Sequence, residues 1–514
     1  MRFLLVDIDS LRPDRLGCYG YARDTAPTID AIAEEGVRFD RCHVSDSPCL
    51  PSRTALATCR VGAKTGVVTH YGSGQWYDEP GEGHQQDPER PLSFRHLMEH
   101  GIRTVTVTGF AQRHLAHHFT AGFQEHIQPT PLAGLVAQED GADVTAAATR
   151  WLDANASDDD WLLHVNYWDV HHPYLGITPY VDDVRDSGPP AAWPDQNAID
   201  AQQGVTGIRT ADLWPVPGNI DDEEIAALRE EWPFPERIVD RTDATHLIDG
   251  YDAAIRRVDD EVATLLATLD DHGVRDETCI IVTGDHGEAF GEHGIYAEHA
   301  FPDPACQRVP MVVSWPGLTD DAAGTGVEDL CYQFDLLATI CDASDLPIPE
   351  GWDAQPFTAA LRGEPDGGRD SLVCGHGIYT FGRAVYRDQW VYIRLLHPGV
   401  FSMPGQYNDP ALPDGGLELL HDLDADPHMS ENLVTDRPEV TAELRAELDR
   451  WTAEVLASVD AVGEDPLARM AVESGPFLYV DPEELAEYYA SNGRTEQQRA
   501  IVDRARRYPP GAGD

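Results

Sequence analysis

Five short apolar runs, residues 3–8, 103–108, 161–167, 278–283 and 310–314, alternate along the chain with stretches of helical spacing. Runs this short and this continuously apolar suit strands buried on both faces. Their alternation with helices constrains the architecture more than any other feature: it predicts an α/β chain with a large, mostly parallel sheet sandwiched by helices. Helices are expected over 28–36, 144–155 and 245–271. In the last of these Ile255, Val258, Val262, Leu265, Leu266 and Leu269 recur at helical spacing, a stripe that belongs to the core. From about 174 to 240 the chain turns rich in Pro, Asp and Gly, which predicts a surface insertion folding over an active site. Beyond 362 the pattern changes. Segments 372–374, 384–386, 390–395 and 417–421 read as a small antiparallel sheet and are followed by helices from 439. The expected division is an α/β domain over 1–362 and a smaller α+β subdomain over 363–514.

The charge narrows the function classes. Against 90 acidic residues stand 37 basic ones, and Lys64 is the one lysine, to which no role is assigned. Such density repels itself in dilute buffer and is screened in concentrated salt, so it reads as adaptation to molar salt. No basic stripe is present to neutralise phosphates, which argues against nucleic acid as a partner. Nine cysteines, odd in number and without a CxxC pair, suggest neither a disulfide framework nor a zinc knuckle. They fit a reducing compartment. No apolar run reaches the roughly 20 residues of a membrane helix. The opening Met1–Asp9 has too short an apolar stretch for a signal peptide, so it reads as a buried first strand and the protein as cytoplasmic.

Chemistry concentrates at strand ends. Asp9 closes the first expected strand, and Asp285 and His286 follow the fourth in Gly284-Asp285-His286-Gly287. In an open parallel sheet this edge gathers ligands, so the three side chains can share one metal. An acid ending a strand serves equally as a cap or turn residue. The third element is Cys49-Leu50-Pro51-Ser52-Arg53, leading into a helical stretch. A helix N-terminus and the Arg53 fork make an anion site, and positive surroundings would favour a Cys49 thiolate.

On these residues the chain resembles the sulfatase family of the alkaline-phosphatase superfamily. CLPSR is similar to the motif whose cysteine becomes formylglycine. VDIDSLRPDRLGCYGY and VTGDHGEAFGEHG resemble the two metal motifs, NYWDVHHPY the histidine motif, and LLHDLDADPHMSENL the C-terminal signature. The resemblance implies an alkaline-phosphatase-like fold and a sulfuric ester hydrolase acting through a formylglycine hydrate at Cys49. It implies one divalent metal held by Asp9, Ser10, Asp285, His286 and residue 49. Arg53 and Arg113 would stabilise charge, and His171 or His114 would protonate the leaving alcohol. His299 stands where many members carry a late lysine. His70 is a further candidate for the pocket.

There are departures from the pattern. Ser10 replaces an acid, Cys59 follows Thr58 where glycine is usual, and Gln112-Arg113-His114 shifts the motif cation by one position. The family metal is Ca²⁺, while Ser10 and the His286 imidazole also admit Mn²⁺, with Mg²⁺ the remaining candidate. Expected partners are a formylglycine-generating maturation enzyme and a sulfated small molecule or glycan, with Trp193, Trp214 and Trp232 placed to stack on sugar rings. Two alternatives stand beside this reading: a phosphonate or phosphate ester hydrolase of the same superfamily, and an inactive sulfatase-like binding protein.

Overall fold

The strand Arg2–Ile8 has one half-buried residue followed by six buried ones, because it lies in the middle of the main sheet with a parallel neighbour on each side. Those neighbours are Trp161–Tyr167 and Thr278–Gly284, in register Arg2 opposite Trp161 and Thr278. The eight strands run, edge to edge, Thr325–Val327, Val37–Phe39, Met311–Ser314, Thr278–Gly284, Arg2–Ile8, Trp161–Tyr167, Arg103–Val107 and Glu125–Ile127. All neighbours are parallel except those of Met311–Ser314, which is antiparallel to both strands beside it. The mixed, mostly parallel sheet is therefore as expected. This computed structural model describes residues 1–77, 90–130, 139–203, 230–365, 367–400, 417–458, 464–473 and 475–508.

Period-two alternation sends the first strand's side chains to two separate cores. Leu4, Val6 and Ile8 pack with helices Pro27–Glu35, Gly141–Asn155 and Arg241–Asp271. Phe3 and Leu5 pack on the opposite face, against the helix Cys49–Thr58. Each such buried aliphatic contributes roughly 1.5–3 kcal/mol. The same alternation puts Asp7 and Asp9 on the face of Phe3 and Leu5, under the Cys49 helix.

The helix expected from 245 begins at Arg241. Asp240 caps it by accepting from the amides of Thr242 and Asp243, while Asp243 accepts from the amide of Asp240. Ile255, Val258, Val262, Leu265 and Leu269 are wholly buried in it. The 174–240 segment is more regular than its composition suggests. Its described part holds helices Thr178–Ser187 and Gln196–Gln203, with Val181, Val184 and Ile199 buried in the core of the long helix. A second sheet of five strands consists of Glu418–Asp422, Trp390–His397, Phe381–Arg387, Leu372–Gly377 and Asp46–Ser47, in that order. The last is borrowed from just before Cys49 and pairs in parallel, Gly375 opposite Asp46 and His376 opposite Ser47. Helices Pro438–Ala457, Pro466–Glu473, Pro482–Ser491 and Thr495–Arg507 complete the C-terminal part. Among the described residues no helix is long and apolar enough to cross a membrane.

Candidate active site

The helix Cys49–Thr58 buries all ten of its residues, so it is a core element with no solvent face and no amphipathic stripe. Its first turn lies over the carboxyl ends of the central strands. There Arg53, 1% exposed, donates from Nε to Asp7 Oδ2 and from Nη1 to Asp9 Oδ2, both at 2.9 Å. Nη1 also stands 2.6 Å from Asp285 Oδ2. One guanidinium thus faces three buried carboxylates. Asp7 is held below its ordinary range: burial raises it, but Arg53 and His164, 3.3 Å away, outweigh that. Asp285 goes the other way. Burial lifts it well above its ordinary value, Arg53 opposes, and the charges of Asp9 and Asp7 add to the rise.

Ligand atoms of Asp9, Cys49, Asp285 and His286 all lie within 4.8 Å of one another. Cys49 Sγ is 3.1 Å from His286 Nε2. His286 Nδ1 is 2.9 Å from the Gly287 carbonyl, so Nδ1 carries the proton and Nε2 turns its lone pair to the cluster. This set fits a divalent cation. Three carboxylates are met by one guanidinium charge, Asp285 Oδ2 has that ion pair but no well-formed hydrogen bond, and the Nε2 lone pair of His286 faces the Cys49 sulfur, Asp9 and Asp285. Ser10, at φ 59°, donates its amide to Asp285 Oδ1 at 3.1 Å and its hydroxyl to Asp9 Oδ1 at 3.3 Å. Its contacts therefore orient both acids.

In front of Cys49 opens a cleft of about 450 Å³. Arg113 lies in its wall with Cζ 3.8 Å from the centre of the Trp168 ring and Nη2 donating to Glu139 at 2.7 Å, which leaves Nη1 without a partner. His171 stacks on Trp168 at 4.0 Å and donates from Nδ1 to the His172 carbonyl. His70 Nε2 accepts from the Leu50 amide at 3.2 Å and packs against His114 at 4.7 Å. Burial pushes His70 down to about 3 and lowers His114 and His171 well below their ordinary value. His299 differs. Burial opposes its proton, yet Glu298 at 3.5 Å and Glu288 at 3.9 Å raise it to about 9. The cleft gathers His70, His114, His171 and His299 with Arg113 in a chain of net charge −53.

Of the site residues read from the sequence, Cys49, His70, Arg113, His114, His171 and His299 line this cleft, and Asp9, Ser10, Arg53, Asp285 and His286 lie in the cluster around Cys49. Asp7, His164, Trp168, Glu139, Glu288 and Glu298 were missed. The only advance signal was Asp7, an acid inside an otherwise apolar strand. Two expectations are corrected. Cys49 is not a favoured thiolate: burial first, then Asp9 and Asp285, push its thiol well above the ordinary value despite Arg53. Trp193 and Trp232 do not line the cleft; they lie flat on His428 and His246 at 4.3 and 4.2 Å. Trp214 falls outside the described residues. Lys64 pairs with Asp353.

The chain is similar to known proteins over most of its length. A family profile described as Sulfatase matches residues 2–346. Iduronate 2-sulfatase of Mus musculus is 26% identical over 416 residues, covering 68% of this chain and 69% of that protein. A putative sulfatase from Bacteroides thetaiotaomicron superposes with TM-score 0.66 at 20% identity, covering 88% of this chain and 92% of that one. The phosphonate monoester hydrolase of Agrobacterium radiobacter gives TM-score 0.63 at 19% identity, over 88% and 96%.

Proposed function

The chain belongs to the sulfatase family and is a sulfuric ester hydrolase; from that premise we propose that it frees sulfate from a sulfated organic substrate, a sulfated sugar among the candidates, through formylglycine at Cys49 and one divalent metal. The observation that carries this reading is the convergence of Asp9, Cys49, Asp285 and His286 within 4.8 Å under the Arg53 fork. The chemistry the two groups supply when present is a nucleophilic hydroxyl at position 49 and Lewis-acid charge for the sulfate oxygens. A buried thiol held protonated is a poor nucleophile, which suits a position where the sulfur is replaced. Calcium is the favoured ion, with manganese or magnesium as alternatives.

The chain's own residues divide the remaining work. Arg53 holds Asp7, Asp9 and Asp285 in place and faces the oxygen at position 49. Arg113, braced by Glu139 and Trp168, turns Nη1 to the equatorial sulfate oxygens. The proton for the leaving alcohol comes from His299, which Glu298 and Glu288 keep charged near neutral pH. His171 and His114, lowered by burial, are neutral there and act as acceptors that orient the alcohol. All nine cysteines are free, and all but Cys18 are buried, which supports a reducing compartment such as the cytoplasm. Its working partner is then a formylglycine-generating enzyme, and the net charge of −53 supports a saline interior.

A tetrahedral phosphonate monoester would meet the same cation, guanidinium and histidines, so one experiment must separate the two. The protein is co-expressed with a formylglycine-generating enzyme, the peptide containing Cys49 is mapped by mass, and turnover of para-nitrophenyl sulfate is compared with that of a para-nitrophenyl phosphonate ester. The aldehyde at residue 49, preference for the sulfate and loss of turnover in Cys49→Ala are the expected results. Preference for the phosphonate, or an active enzyme whose residue 49 is still a thiol, sinks the reading.

A further inference from the structure

Beside the donors of the candidate centre, the wall of the cleft carries a second group that the proposed hydrolysis does not need as a ligand set. His172 Nε2 stands 3.5 Å from Glu298 Oε2, and His299 Nδ1 stands 3.5 Å from Glu298 Oε1. Ligand atoms of His172, Glu298 and His299 lie within 4.8 Å of one another. These separations are at the outer limit of hydrogen bonding. They suit a different geometry. Zinc binds imidazole nitrogen and carboxylate oxygen at about 2.0–2.2 Å, and a tetrahedron of that size has edges of about 3.3–3.6 Å. Each imidazole thus stands about one edge length from a different oxygen of Glu298, while one oxygen and both ring nitrogens lie within 4.8 Å of one another.

Two observations independent of that spacing point to a cation. His299 Nδ1, on a residue 3% exposed, has no hydrogen-bond partner. Glu288 is wholly buried, neither of its oxygens has a hydrogen-bond partner, and Oε2 is 3.9 Å from that same nitrogen. Two carboxylates thus approach the same nitrogen of His299, one of them with its hydrogen-bonding capacity unused. Burying such acceptors unpaired is costly, and a divalent ion between them removes the cost.

We propose that His172, Glu298 and His299 form a second metal site, distinct from Asp9, Asp285 and His286, which takes a borderline transition ion of the zinc type, with Glu288 balancing its charge and one coordination position open to the cleft. Two imidazoles select such an ion over calcium, which prefers oxygen. The site stands without any assumption about the reaction. Its consequence rests on the sulfatase reading: an ion held by His299 occupies the wall of the same cleft that Cys49 lines, where the substrate must enter. Zinc is then a reversible inhibitor.

The test uses the full chain, matured and saturated with calcium. Zinc uptake is measured by elemental analysis, and cobalt serves as a visible probe of tetrahedral N/O coordination. One further equivalent of zinc is expected, with a tetrahedral cobalt spectrum. Glu298→Gln and His172→Ala should each weaken zinc binding by at least about 10–100-fold while the calcium equivalent is retained; two variants are used so that one misfolded protein does not decide the matter. No uptake of zinc by the calcium-saturated chain overturns the site. So does zinc binding that survives both variants but is lost in Asp285→Asn. If zinc binds as described and the zinc-free, calcium-loaded enzyme never hydrolyses para-nitrophenyl sulfate, the sulfatase reading fails and the metal site stands.

Discussion

Arg53 shows how much one side chain holds at this site. Its guanidinium meets Asp7 and Asp9 through planar N–H bonds and reaches Asp285 from the same nitrogen that serves Asp9. Removing it leaves three buried carboxylates without their cation. In the presence of a chelator, Arg53→Ala is expected to lower stability by about 3–5 kcal/mol, the usual cost of breaking a buried charge cluster. Arg53→Lys restores the charge without the fork, so it should recover only part of that loss. Urea denaturation measures both, and a loss below about 1 kcal/mol in Arg53→Ala would show that the acids do not depend on it. The partners of Arg53 were only half legible in advance. Asp9 and Asp285 end strands in recognisable motifs, but Asp7 reads as one polar letter in an apolar run. That it shares the Arg53 face follows from strand alternation once the strand is placed.

The two-residue strand Asp46–Ser47 joins the second sheet to the segment leading into Cys49. Asp46, 6% exposed, accepts from the Gly62 amide and the Ser45 hydroxyl. Burial nonetheless outweighs these bonds and lifts its carboxyl from 3.8 to about 7. A carboxyl raised on folding binds its proton more tightly in the folded chain, so its contribution to stability is full below about pH 4 and is lost as pH climbs to about 7. Asp46→Asn removes that titration. The variant should therefore lose less stability than the parent between pH 4 and pH 8, with a difference of a few kcal/mol accumulated by neutral pH. Identical pH slopes of melting temperature would refute the role given to Asp46. This strand was missed because two residues carry no periodicity, and its partner lies 329 positions away in sequence. The Cys49 helix was found through its motif rather than its pattern, since a helix buried on every side has no stripe to read. The long helix was legible from Ile255 to Leu269, while its start at Arg241 depended on the Asp240 capping box.

Across the whole molecule, a net charge of −53 opposes compaction in dilute buffer. Screening shortens from about 10 Å at 0.1 M salt to about 3 Å at 1 M. The melting temperature is accordingly expected to rise by several degrees as potassium chloride is raised from about 0.1 M to about 2 M; a flat or falling curve would show that repulsion does not limit stability. By itself, the order of residues determined the layered α/β class, the strand-end acids and the Cys49 motif, because each is written in local spacing and residue type. Only the tertiary structure decided which carboxylates share Arg53, that Cys49 is held as a thiol, that His299 is raised while His70, His114 and His171 are lowered, and that Trp193 and Trp232 stack elsewhere. The physical reason is common to all four. Burial and the nearness of charges set them, and both are properties of residues that meet in space from distant parts of the chain.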